Sequence, residues 1–250
     1  MKVTLVTGAA NGIGLAVARH LSKAGHQLAL VDRDAEKLLK VAADLTGTRV
    51  RWYPGDVTDA ERVSEIVDAA MADFGRIDGL VTASGIVKVR PSFDVPPQEF
   101  RSQIEVNVTG TWFYAQAVGR QMAQQRAGSI VMIGSVYGFA GAPDRAAYCA
   151  SKGAVHNLVQ ALAVEWGPLG IRVNAVAPTG VRTPMVQELI DSGQYNLAGV
   201  KARAPLGRLA EAVEVAEACA FLLSDNSRMT TGDVLRVDGG WVANGYTVSN

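Results

Sequence analysis

The stretch VTLVTGAANGIGLAVARHLSKAG (residues 3–25) joins a short apolar, β-branched run to a glycine-rich loop and then to a helix-like pattern. VTLVT (3–7) reads as a strand, and GLAVARHLSKAG carries apolar residues at i, i+3, i+4 spacing. Between them, TGAANGIG (7–14) puts Gly8 where a tight turn is needed, Gly12 where a backbone must come close to a ligand, and Gly14 where the helix packs on the strand. Free N–H groups at a helix N-terminus suit a pyrophosphate, so Asn11 and Ile13 join the glycines as candidate contacts. Glycines in turns are common. The strand before this loop, the helix after it, and Asp32 closing the next strand-like run, QLALVD (27–32), raise it above a plain structural turn.

Asp32 also bears on which dinucleotide is bound. A carboxylate there accepts hydrogen bonds from an adenine-ribose 2′-hydroxyl and repels a 2′-phosphate. Ala9, Ala10 and Asn11 bring no cation to offset that repulsion, although Arg33 stands beside the acid. The expected cofactor is NAD, with NADP less favoured.

Working outward, the same alternation continues. VRWYPGD (50–56), IDGLVTAS (77–84), SIVMIGS (129–135), IRVNAVAP (171–178) and VLRVDGG (234–240) read as further strands, separated by helical patterns such as DAERVSEIVDAAMADFG and VHNLVQALAVEWG. Near-continuous apolar strands alternating with helices signify parallel strands buried on both faces. The expected fold class is therefore α/β: a Rossmann-like, doubly wound parallel sheet of about seven strands in a single domain over 1–250. The least periodic long segment, 179–210, suits a substrate-covering flap.

Composition sets outer bounds. Lys plus Arg and Asp plus Glu number 24 each, which argues against a nucleic-acid surface. With 48% hydrophobic residues the chain has material for a sizeable core. Two cysteines, Cys149 and Cys219, make no disulfide framework and no metal cluster, and are read as buried thiols in a reducing compartment. No leader-like start or 18-residue apolar stretch is seen, so a cytoplasmic protein without membrane or metal partners is expected.

In AAYCASKGAVHN (146–157), Tyr148 and Lys152 are at i and i+4 and share one helix face. A phenol of ordinary pKa about 10 is a poor base near neutrality, and a neighbouring ammonium and a cationic nicotinamide ring favour its phenolate. Ser135, ending SIVMIGS, offers a hydroxyl for a substrate oxygen. A Tyr-x-x-x-Lys pair by itself is commonplace; the glycine loop gives it weight.

Together with TGAANGIG, DVTD (56–59), NVTG (107–110), GS (134–135), YCASK (148–152) and VDGG (237–240), the chain resembles the short-chain dehydrogenase/reductase family of the compact type over nearly its whole length. The resemblance implies that Tyr148 is the general acid/base and that Lys152 lowers its pKa and holds the nicotinamide ribose. It further implies that Ser135 binds the reacting oxygen and that Asn107 anchors a proton-relaying water. Asp56 and Val57 are implied at the adenine, Val181 and Thr183 at the carboxamide, with Ala83, Gly85 and Pro178 also against the cofactor. The chain departs from the family pattern at TASG (82–85), which lacks an amide side chain at Ala83, and at Pro178-Thr179-Gly180, which sets a β-branched residue near the nicotinamide.

Ser84, Tyr137, Arg145, Thr179 and, in the flap, Tyr195 are the polar candidates for a substrate pocket. Arg145 reads more readily as a solvated loop residue than as a substrate contact, and His156 as a packing or interface residue rather than a catalyst. This lining suits a polyol, sugar or hydroxy acid, and the expected activity is NAD-dependent interconversion of a secondary alcohol and a ketone. One rival is a 3-oxoacyl-thioester (acyl-carrier-protein) reductase; of the two basic docking positions such enzymes use, Arg126 matches one and Leu169 stands at the other. A rival of another class is a catalytically silent cofactor sensor. The family resemblance further implies a homotetramer built on helices near 101–125 and 152–167 and on the C-terminal tail with Trp241 and Tyr246.

Overall fold

The computed structural model describes residues 1–245; Tyr246 lies outside them. Seven strands, β1 (Val3–Thr7), β2 (Gln27–Asp32), β3 (Val50–Pro54), β4 (Gly79–Thr82), β5 (Gly128–Ile133), β6 (Ile171–Pro178) and β7 (Val234–Val237), form one sheet in the order β3-β2-β1-β4-β5-β6-β7. Every pairing is parallel. The connecting helices are α1 (Gly12–Lys23), α2 (Ala35–Asp44), α3 (Ala60–Phe74), α4 (Pro97–Ile104), α5 (Gly110–Gln125), α6 (Ala146–Trp166), α7 (Pro184–Asp191), α8 (Leu197–Arg203) and α9 (Ala212–Leu223).

Alternation along the strands builds two cores. Leu5, Leu80, Ile130 and Met132 face α3, α5 and α6, whereas Val6, Val81, Val131 and Val176 face α1, α2 and α9. Successive side chains of a strand point to opposite faces, so an inner strand covered on both faces buries every residue, as all five of β1 are buried; its two threonines, Thr4 and Thr7, are accommodated by hydrogen bonds to His26 and to the backbone of Ala83 and Ser84. The edge strand β3 escapes that demand and leaves Trp52 37% exposed.

Local signals set the helix limits. Asp59 accepts from the Arg62 N–H at 3.0 Å to cap α3 at its start, and Gly75, at φ +77°, ends it in the left-handed conformation. The strand read over 77–84 stops at Thr82, because the N–H groups of Ala83 and Ser84 turn to the Thr7 Oγ1, at 3.2 and 3.3 Å, instead of a neighbouring strand. Segment 179–210 contains α7 and α8, each too short for a long period to show. Thr183 and Asn196 cap them, and Pro184 occupies the first turn of α7. Between α4 and α5 the chain passes through a π-helical turn, Glu105–Thr109, which holds the buried Asn107. Such turns widen the helix locally and often mark functional sites. Of the two cysteines expected to be buried, Cys219 is, with its thiol pushed up to about 12 by burial, while Cys149 is only half-buried.

Candidate active site

The strand order reverses between β1 and β4, and their ends are level, with Thr7 opposite Thr82. In an open parallel sheet the crevice beyond that point is where ligands bind. Gly8, at φ +66°, lies so near the next loop that an added Cβ would come 2.8 Å from Ser84 N and 2.9 Å from Ala83 O. A Cβ on Gly14 would overlap the Gly8 carbonyl, so that glycine seats α1 directly under the loop. Gly12, at φ +56°, has only the methyl of Thr183 nearby, 3.5 Å from the Cβ position. The glycine loop thus presents bare backbone at a helix N-terminus, with Thr183 across from it.

Asp32 is held in place by the chain: Ala10 N–H donates to Oδ2 at 3.0 Å and Asp34 N–H to Oδ1 at 3.1 Å. Each oxygen keeps a lone pair for a hydroxyl, and among the described residues no cation pairs with it; Arg33 is exposed. Val57 is buried against Gly110, while the exposed Asp56 turns one oxygen back to the Thr58 N–H and hydroxyl. Val181 is buried and bridges to Ala210, and Pro178 ends β6. This cradle, with an oriented acid at one end, fits a dinucleotide.

At the other end, Ser135 follows β5, and its hydroxyl is near enough to the Tyr148 phenol to draw it downward. The Ser135 Oγ also accepts from the Tyr137 N–H at 3.2 Å. Lys152, 4% exposed, donates to Ile133 O at 2.7 Å and sits 5.7 Å from the Tyr148 ring centre. Burial pushes the Tyr148 phenol up to about 12, opposed by the nearby Ser135 hydroxyl, and pulls the Lys152 ammonium down to about 8. Lowering of the phenol by Lys152 was the expectation. Among the chain's own groups burial dominates, and the Lys152 ammonium donates to the Ile133 carbonyl. Asn107 donates to Ile86 O at 2.9 Å and to Ser151 Oγ at 3.0 Å, and accepts from Ile86 N–H at 2.8 Å. Gly85, beside it, leaves a Cβ position 3.3 Å from the Asn107 Oδ1 and 3.8 Å from the Lys152 Nζ.

A family profile described as enoyl-(acyl carrier protein) reductase matches residues 8–242. The D-threitol dehydrogenase of Mycolicibacterium smegmatis is 39% identical over 96% of this chain and 92% of its own length. The chain belongs to the short-chain dehydrogenase/reductase family. As a member, it is an oxidoreductase of CH–OH groups that uses a nicotinamide cofactor. The cis-4-hydroxycyclohexanecarboxylate dehydrogenase of Sinomonas cyclohexanicum is also 39% identical, over 97% of both chains. A crystal structure of an NAD⁺-bound xylitol dehydrogenase superposes with a TM-score of 0.91 at 36% identity, covering 96% of this chain and 98% of that one. Among the described residues of this dehydrogenase no helix is long and apolar enough to cross a membrane.

Sequence reasoning missed several residues of this dehydrogenase's site. Ser151 accepts from Asn107 and donates to Tyr148 O at 2.8 Å, tying the π-turn to α6. Its signal was present, since Ser151 lies one turn after Tyr148. Thr7, whose hydroxyl holds the loop after β4, gave none beyond a strand residue. The expected substrate residues do not all meet. Tyr137, Arg145 and Tyr195 line one cavity, Thr179 lines another with Pro205 and Arg236, and Ser84 lines neither. Thr179 is drawn away because its N–H joins Val237 O at 3.3 Å, extending the ladder with β7. Gly180, next to it, lets Tyr195 and Leu209 lie where a side chain would be. Arg126 caps α5 in the left-handed region and donates to Pro168 O at 3.2 Å, beside Leu169.

His156 packs inside its own chain, not at an outer face. It is 6% exposed, accepts from the Ser135 N–H at 3.4 Å, and fills the space left by Gly134 and Gly138. Burial, aided by Lys152, holds it down at about 4. The unfolded chain therefore takes up this proton first, at its ordinary pKa of about 6.5. Stability from the neutral imidazole is complete above that value and is lost as pH falls toward 4, by about 2 kcal/mol at pH 5. Urea denaturation at pH 7 and pH 5 is expected to show this loss in the native chain, with a smaller difference in His156→Gln, which cannot titrate.

Proposed function

We propose that this protein is an NAD-preferring dehydrogenase that oxidises a secondary alcohol of a polyol or sugar-like substrate to the ketone. The observation that carries the reading is the Tyr148 phenol beside Ser135 and the buried Lys152, on the same carboxyl edge of the parallel sheet as the glycine loop and Asp32. The threitol and xylitol dehydrogenases to which it is similar support the substrate class.

When bound, the oxidised nicotinamide supplies the hydride acceptor and a positive ring beside the phenol. Ser135 holds the substrate oxygen and Tyr148, as phenolate, takes its proton. Lys152 keeps the phenol's surroundings positive and faces the ribose hydroxyls. Asn107, through Ser151 and Ile86, keeps the catalytic helix and the 85–86 backbone in register and would anchor a water that relays the proton outward. Glycines 8, 12 and 14 would hold the pyrophosphate, Val57 the adenine, and Val181 and Thr183 the carboxamide end. The segment 179–210 acts as the flap.

Hydride transfer from threitol, xylitol and galactitol with NAD, followed by absorbance of the reduced cofactor, tests the reading; no turnover of any secondary alcohol would overturn it. Asp32→Ala is expected to weaken NAD binding about tenfold to hundredfold, through loss of hydrogen bonds to a charged acceptor. The same change should strengthen NADP binding by removing repulsion. Calorimetric titration with each cofactor checks both.

A homotetramer and a cytoplasmic location belong to the same proposal. Val164, 80% exposed on α6, supports an intersubunit face there, and light scattering tests it. The two free thiols accord with a reducing compartment.

A further inference from the structure

A cavity of about 670 Å³ opens beyond Tyr137, between the loop before α6 and the segment carrying Tyr195 and Arg203. A run of aromatic rings leads into it from the reacting phenol. Tyr148 and Tyr137 meet edge to face at 6.3 Å between ring centres, and Tyr137 and Trp241 at 5.6 Å. Two guanidinium groups stand in this apolar frame. Arg203 lies 3.7 Å over the Trp241 ring, and Arg145 lies 6.0 Å from the centre of Tyr137.

Both cations are half-buried, and among the described residues neither has a carboxylate partner. Arg145 donates to Pro143 O and Gln194 O, each at 3.0 Å, and Arg203 to Trp241 O at 3.4 Å. A guanidinium has five N–H donors, so Arg145 keeps three and Arg203 four for another acceptor. A third arginine on the wall, Arg90, is already satisfied by Glu99 at 3.2 Å. Asp144 is the one carboxylate lining the cavity, and it is exposed at the rim. Withdrawing two cations from water without an anion is costly, and planar guanidinium forks match carboxylates in geometry. Arg145 is also near enough to the phenols of Tyr148 and Tyr195 to draw both downward, against the burial that raises them.

We propose that the substrate of this dehydrogenase is a hydroxy acid, its carbinol at Tyr148 and its carboxylate held by Arg145 and Arg203 across the Tyr137 ring. With the Tyr137 ring between the two groups, its centre 6.3 Å from that of Tyr148, a ring or a chain of several carbons would span them. This inference rests on the alcohol-dehydrogenase reading above and departs from it in one respect: the hydroxylated substrate also carries a carboxylate, so that the polyols named there are its neutral analogues.

The decisive comparison is kcat/KM with NAD for 4-hydroxycyclohexanecarboxylate against 4-hydroxycyclohexanecarboxamide, in chloride buffer at low ionic strength. A preference for the acid of about tenfold to hundredfold is expected, the range of one or two charge-assisted hydrogen bonds. In Arg145→Gln/Arg203→Gln that ratio falls to near unity, whatever the absolute rates. Equal turnover of acid and amide, or a ratio unchanged in the double variant, would overturn the proposal while leaving the dehydrogenase reading intact. Binding separates the two failures. If no alcohol turns over, calorimetry of cyclohexanecarboxylate and cyclohexanecarboxamide with the NAD-saturated wild type still decides. Tighter binding of the acid upholds the anion site, and equal binding refutes it.

Discussion

Tyr148→Phe is expected to lower kcat for alcohol oxidation by about a hundredfold to ten-thousandfold, the contribution of a positioned acid/base. The substitution removes one oxygen and keeps the ring that packs edge to face on Tyr137. The Ser135 hydroxyl still accepts from the Tyr137 N–H, and Lys152 still donates to Ile133 O. The crevice carrying Asp32 and the three glycines is untouched, so NAD affinity measured by calorimetry should stay within a few-fold. Low kcat with retained cofactor binding identifies a chemical role; activity equal to wild type would remove Tyr148 from the mechanism and favour a protein that only senses its cofactor. Because burial holds the phenol up at about 12, the base form is scarce near neutrality, and oxidation in the wild type should quicken as pH rises. That rise should be absent in the variant.

Gly14→Ala is expected to weaken NAD binding at least tenfold and to lower stability by about 1–3 kcal/mol, the usual cost of overpacking. The added Cβ meets the Gly8 carbonyl and sits 2.6 Å from its carbon, a collision with backbone and not with a side chain able to swing away. Either α1 moves off the sheet or the loop opens. In both cases the helix N-terminal N–H groups lose their aim at the phosphates. Gly153→Ala on α6 is a fair control, since its Cβ would have only Gly138 O near, at 3.9 Å. In a helix interior that change should be neutral or stabilising by up to about 1 kcal/mol. Urea denaturation and NAD titration of both variants separate a local clash from a general intolerance of alanine.

Much of the site was legible in the residues because its parts are short-range. A strand, a glycine loop and a helix are read within 23 residues (3–25), and Tyr148 and Lys152 share a face by helical spacing alone. The strand-and-helix alternation is equally local, and all seven strands lie where apolar runs marked them, within a few residues at the ends. The ends were less legible, as at β4, where the strand stops because Thr7, about 75 residues away, captures the next two N–H groups.

The sequence by itself therefore determined the parallel doubly wound sheet, the glycine cradle with Asp32, and the Ser135, Tyr148 and Lys152 set, since each rests on periodicity or on motifs whose chemistry is contained in a few neighbouring residues. Only the tertiary structure decided the surroundings. It brought Ser151 under Asn107, placed His156 beneath Ser135, carried Thr179 away from the Tyr137 cavity, and set Arg203 over Trp241 facing Arg145. Those relations join residues up to about 58 positions apart, as Arg145 and Arg203 are. No local pattern encodes them, because they arise where separate loops converge at one end of the sheet.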